Sequence, residues 1–143
     1  MASAVRTQLG ALCWRIKDGQ LKILLITSRE TGRWVLPKGW PMSGKSNRLA
    51  AEREAWEEAG VTGVIGPRVG GYTYDKVLAR DTSRELGVPC DVRIYSLRVE
   101  HIAKRYPERK QRRRKWFTPD RAAALVAEPA LAELLGSFMP PEA

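Results

Sequence analysis

Glu54, Glu57 and Glu58 stand at i, i+3 and i+4 of a stretch that reads as a helix, so their side chains project from adjacent turns into one small volume. Like charges that close repel one another, and a helix gathers them at little cost only where a cation neutralises them. Hard oxygen donors of that kind suit magnesium or manganese. The chemistry on offer is therefore that of a divalent ion held by carboxylates. The plainer alternative is a Glu-rich helix face lying in solvent.

The residues around the trio supply what is needed to position it. Gly39 and Gly44 bracket a turn containing Pro41, which suits a backbone that approaches a ligand closely. Ser46 or Asn47 can cap the helix, and Leu49, Ala50, Ala51 and Ala55 form its side away from the acids. Gly60 supplies a left-handed stop.

The rest of the 143-residue chain reads as one α/β domain spanning residues 1–143, a length that can bury its own core. Val5 to Lys17 alternates as a strand, Asp18-Gly19 makes a hairpin turn, and Leu21 to Thr27 is a second strand rich in Ile and Leu. Arg33 to Leu36 reads as a short strand, Val61 to Tyr74 as strand broken at Gly66-Pro67 and Gly70-Gly71, and Asp75 to Pro89 as a lid-like loop. Asp91 to Glu100 alternates again. Thr118-Pro119 opens a helix with a cap and a first-turn proline, and Pro129 separates it from a last helix ending near Phe138. No apolar run approaches the ~20 residues that span a bilayer, and the first residues lack the pattern of a signal peptide, so a cytoplasmic protein is expected. Cys13 and Cys90 have no metal-site spacing and are expected as ordinary buried or half-buried thiols. With His101 the sole histidine, neither a histidine-rich metal site nor a Ser-His-Asp triad can be assembled.

Charge is concentrated rather than spread. Of the formal net charge of +9, residues 104–115 carry eight bases against one acid, Glu108, which leaves only +2 for the remainder. Such a loop could clamp an extended polyphosphate through forked arginine contacts. Alternatively it is a solvated basic loop, or, with Tyr106 and Trp116 beside it, a surface for RNA.

From Gly39 to Val61 the chain resembles the Nudix hydrolase family, whose box is a glycine, five residues, a glutamate, seven residues, then Arg-Glu-apolar-any-Glu-Glu-any-Gly-apolar. Arg53, Glu54, Ala55, Glu57, Glu58, Gly60 and Val61 match, while Lys45 stands where the box has its first glutamate. The resemblance implies an α/β/α sandwich with a mixed sheet, and an enzyme that hydrolyses a diphosphate linkage with Mg2+ or Mn2+. It implies metal ligation by Glu54 and Glu58, aided by the carbonyl of Lys38. Glu57 would hold a second ion or serve as the base that deprotonates the attacking water, and Arg53 would orient the carboxylates. The implied catalytic set is thus Arg53, Glu54 and Glu57.

Leu24-Leu25-Ile26-Thr27-Ser28-Arg29, Arg33-Trp34-Val35-Leu36-Pro37 and Arg112-Arg113-Arg114-Lys115-Trp116-Phe117 look like the diphosphoinositol polyphosphate phosphohydrolase branch, which acts on inositol pyrophosphates and diadenosine polyphosphates. By that match Thr27, Ser28, Arg29, Arg112 and Arg114 contact phosphate, and the partner is a polyphosphate-bearing small molecule. The competing expectations are a nucleotide or nucleotide-sugar pyrophosphatase, and a catalytically weak domain that binds a nucleotide or RNA. Lys45 has three possible fates: it weakens the metal cluster, touches substrate phosphate or lies in solvent.

Overall fold

The computed structural model describes residues 5–77 and 87–141. The first hairpin joins β1, Arg6–Lys17, to β2, Gln20–Thr27. Its tip is Asp18-Gly19, both residues at positive φ, 53° and 76°, the backbone a tight two-residue hairpin requires. The two strands pair only from Trp14–Lys17 against Gln20–Ile23. Beyond that they part company. β1 takes β4, Lys38–Gly39, through Leu9 and Gly10, while β2 takes β3, Trp34–Val35, and β7, Arg114–Phe117. The splay leaves an opening beside β4, and the site forms there.

β5, Val61–Val77, and β6, Gly87–Ile102, make a long antiparallel pair, and β6 runs parallel to β1 from Arg6↔Cys90 to Trp14↔Arg98. The resulting mixed sheet has the order β3-β2-β1-β6-β5, with β4 on β1 and β7 on β2.

Alternation along the central strands sorts side chains into two layers. Leu12, Trp14, Ile23, Leu25, Val92 and Ile94 pack with Ala122, Leu131, Leu135 and Phe138 of α2, Pro119–Leu125, and α3, Pro129–Ser137, Phe138 following α3 as its C-cap. Ala11, Cys13, Leu24, Ile26 and Leu97 face the other way and meet Ala55 and Ala59 of α1, Asn47–Ala59. A sheet covered on both faces explains why 23–26 is an unbroken apolar run rather than an alternating one. Each such fully buried Leu or Ile contributes about 1.5–3 kcal/mol. The architecture is the α/β/α sandwich. Both cysteines are buried and free, and burial pushes the Cys13 thiol up to about 12.

Four expectations change in detail. The short strand expected over Arg33 to Leu36 is confined to Trp34–Val35; Pro37 cannot donate to a ladder, and a further short strand, Lys38–Gly39, joins β1 after it. The glycines after Val61 do not break the strand; β5 runs on through them with register shifts at Thr62/Gly63, Ile65/Arg68 and Arg68/Gly70, the signature of bulges. The stretch Asp75 to Pro89 is strand at both ends, Asp75↔Pro89 to Val77↔Gly87, and 78–86 lie outside the described residues. Leu49, expected on one side of the helix with Ala50, Ala51 and Ala55, is 43% exposed, whereas those alanines are buried, Ala50 and Ala51 packing with Leu9.

Candidate active site

Helix α1 is held at both ends by local chemistry. Ser46, not Asn47, is the N-cap, its side chain accepting from the Leu49 N–H at 3.3 Å, and Gly60 closes the helix in the left-handed region at φ 69°. Its alanines press close to the sheet, which brings the next stripe of the helix, Glu54 and Glu58, against β4. Both carboxylates are buried, each residue only 9% exposed, so this is not a solvated acidic face.

Gly39 makes the contact possible: a Cβ at that position would overlap the Glu54 carboxylate. Glu58 Oε1 accepts from the Lys38 N–H at 3.2 Å, and its Oε2 lies 3.4 Å from Arg112 Nη2. Glu57 is less buried and pairs with Arg53 Nε at 3.1 Å. Of the trio, Glu57 is the one paired with Arg53, in an i,i+4 contact that is partly open to solvent.

The loop between β6 and β7 adds a residue that sequence reasoning left aside. The Glu108 N–H donates to the Glu57 carbonyl at 3.0 Å, and its carboxylate accepts from Arg112 Nε at 2.9 Å. A lone acid in a basic run was the available signal, and the surrounding charge hid it.

The electrostatics follow from this crowding. Glu54 is pushed up to about 8, first by burial and then by repulsion from Glu58, Glu57 and Glu108. Burial raises Glu58 too, while Arg112 and the Lys38 N–H pull it back. A buried group of carboxylates with too little positive charge around it fits a divalent cation. Among the described residues no three acidic, imidazole or thiol groups converge into a ready-made cage. The arrangement suits an ion taking one or two carboxylates and completing its shell with water and substrate phosphate, as magnesium commonly does.

One cavity of about 380 Å³ gathers many of the expected residues: Ser28, Arg29, Lys38, Glu54, Glu58 and Arg112 line it. Glu108, Arg33, Gln8, Tyr74 and Trp40 line it as well, and none of these had been singled out. Gln8 and Tyr74 come from strands 66 residues apart and meet at 2.6 Å between the Tyr74 hydroxyl and Gln8 Oε1, a pairing invisible to local patterns. Glu57 and Arg53 do not line this cavity. Arg53 borders a separate groove with Lys45, Leu49 and Trp56, and Lys45 itself is exposed there.

Thr27 and Arg114 are occupied elsewhere. Thr27 is buried, its Oγ1 accepting from the Arg113 N–H at 2.9 Å and its carbonyl from Arg112 Nη1 at 3.1 Å, which ties the basic loop to β2. Arg114 donates to the carbonyls of Ala59 at 2.7 Å and Ala103 at 2.6 Å and lies over the Tyr106 ring at 4.6 Å. A cation on the last carbonyl of α1 complements the helix dipole. Arg114→Ala should therefore lower stability by about 1.5–3 kcal/mol, the scale of hydrogen bonds to a charged group, here made to part-buried carbonyls. Chemical denaturation would read it; an unchanged midpoint would refute this bracing role.

Comparisons with known proteins agree with this architecture. The NUDIX domain profile matches residues 6–138, and the chain belongs to the Nudix hydrolase family. Nudix hydrolase 16, mitochondrial, of Arabidopsis thaliana is 31% identical over 125 residues, covering 83% of this chain and 69% of the relative. Diphosphoinositol polyphosphate phosphohydrolase 3-beta of Bos taurus is 27% identical over 134 residues, covering 91% and 76%. Among solved structures, the Ap4A hydrolase of C. elegans superposes with a TM-score of 0.63 at 20% identity over 93% of this chain and 95% of that one, a likeness of fold. The chain spans between 54% and 69% of the length of the plant relatives it matches. No helix among the described residues is long and apolar enough to cross a membrane.

Proposed function

We propose that this domain hydrolyses a phosphoric anhydride in a highly anionic substrate of the diadenosine polyphosphate or inositol pyrophosphate kind, using Mg2+ or Mn2+. The observation that carries the reading is the pairing of two buried carboxylates, Glu54 and Glu58, with a glycine, Gly39, that leaves room for them, in a cavity also lined by Arg29, Arg33 and Arg112. Acids on one wall and forked cations on another are what a substrate made of linked phosphates requires. Glu54 and Glu58 would hold the ion, which neutralises phosphate charge and makes water more acidic.

Glu57, held by Arg53, would act as the base or as a further ligand. Arg112 holds Glu58 and Glu108 in place and so positions the acids as well as adding positive charge. Arg29, about half exposed and reaching Gln111 at 3.0 Å, is the more accessible phosphate contact. The likeness to the Bos taurus phosphohydrolase supports the substrate class.

A second reading is a domain that binds a nucleotide or RNA without turnover. Lys45, in place of the first box glutamate, favours it, as do the exposed Lys104, Arg105, Arg109 and Lys110. A panel of dinucleoside polyphosphates, inositol pyrophosphates, nucleoside triphosphates and sugar nucleotides, assayed for phosphate-containing products with either ion, separates the readings. Cleavage concentrated in the first two classes is expected. Cleavage only of sugar nucleotides would overturn the substrate class, and binding without product would support the second reading.

A further inference from the structure

The cavity has a component that phosphate chemistry does not need. Trp40 follows Gly39 directly and lines the same cavity as Glu54, Glu58, Arg29 and Arg112, with 39% of its surface exposed. Three of the other tryptophans are engaged within the fold. Trp14 lies against Phe138, Trp34 against Phe117, and Trp116 under the Arg15 guanidinium. Among the described residues no other ring stacks on Trp40 and no cation covers it. At 39% exposure the indole is partly covered by the fold and partly open to the cavity. Beside a cluster of cations and carboxylates, it offers a flat apolar face to whatever the phosphates are attached to.

A planar heterocycle satisfies such a face by stacking, whereas a hydroxylated or phosphorylated cyclitol has no flat π-surface to present. Gly39 strengthens the geometry, because its lack of a side chain sets the adjoining backbone directly on the Glu54 carboxylate. A ring stacked on Trp40 would therefore sit one residue along the chain from the glycine that touches Glu54, with its attached phosphates within the same cavity.

We infer that Trp40 is a specificity-determining residue: its indole stacks on the base of a nucleoside polyphosphate and sorts ring-bearing polyphosphates from ring-free ones. The inference rests on the proposed polyphosphate site and narrows its substrate to the nucleotide members. It assigns Trp40 to ground-state binding, so that its loss should be felt in affinity and KM and not in kcat.

The test reads binding apart from turnover. The full chain, as wild type, Trp40→Ala and Trp40→Phe, is titrated in Mg2+ with a non-hydrolysable nucleoside triphosphate analogue and, in parallel, with inorganic tripolyphosphate. Trp40→Ala should weaken the analogue about tenfold, the scale of one lost base–aromatic stack. Trp40→Phe should restore most of the affinity, and tripolyphosphate should bind all three proteins alike.

A matching rise in KM at constant kcat is expected for a dinucleoside polyphosphate. An unchanged analogue affinity in Trp40→Ala would overturn the inference. Equal weakening of both ligands would also overturn it, by showing that Trp40 merely holds the loop. Wild-type protein that binds the analogue through Trp40 and hydrolyses nothing would sink the enzymatic reading and leave the stacking intact; wild-type protein that binds neither ligand would sink both.

Discussion

Glu58→Gln should lower turnover at least ~100-fold while the fold survives, the loss expected when a well-placed charged group is removed from a site that works by electrostatics. The side chain accepts from the Lys38 N–H and stands beside Arg112. An amide keeps the shape and one acceptor oxygen but gives up the charge that an ion needs. Some stability should be lost as well, because the amide takes one carboxylate from the buried Arg112 side chain, which keeps its pairing with Glu108. Glu52→Gln is the control: Glu52 borders the separate groove with Lys45 and Trp56 and should leave the rate unchanged. Thermal melts in Mn2+ supply a second readout, since an ion bound only to the folded state raises the melting temperature. That increment should vanish in Glu58→Gln. Turnover within a few-fold of wild type would sink the assignment of Glu58.

Gly39→Ala should be as damaging by a different route. The added methyl would occupy the place of the Glu54 carboxylate, which must then swing away from β4. Displacing a reacting group by about 1 Å can cost about 100-fold in rate, and overpacking of this sort costs about 1–3 kcal/mol. Both changes act on one carboxylate, so Gly39→Ala combined with Glu54→Gln should be little slower than the worse single variant. Full multiplication of the two losses would show that Gly39 serves some purpose other than making room for Glu54.

These two variants also mark what could be read from the chain alone. The acidic trio, the glycine before it and the capped, glycine-stopped helix are local patterns, set by spacing within one turn or one loop. Ser46, Gly60, Thr118 and the Asp18-Gly19 turn behave as their chemistry dictates for the same reason. What was not legible depends on partners distant in sequence.

Whether an acid on a helix faces water or the sheet cannot be told from the helix, and Glu54 and Glu58 are buried only because β4 folds back onto α1 with a glycine at the contact. The basic loop shows the same limit. A run of arginines reads as a uniform anion clamp. In the fold, Arg114 braces carbonyls of Ala59 and Ala103, while Arg112 locks Glu58 and Glu108, and Lys104, Arg105, Arg109 and Lys110 remain exposed. Gln8 and Tyr74 were missed because nothing in either strand announces the other.

The most direct measurement is hydrolysis of a dinucleoside polyphosphate by wild type and Glu54→Gln, each assayed with Mn2+ and with EDTA, with substrate binding followed in parallel. Metal-dependent hydrolysis at Glu54 requires product from the wild type with Mn2+ alone, near-complete loss in EDTA and in Glu54→Gln, and retained binding by the variant. Wild-type hydrolysis that persists at full rate in EDTA, or a wild type that binds the substrate with Mn2+ and releases no product from it or from an inositol pyrophosphate, would contradict it.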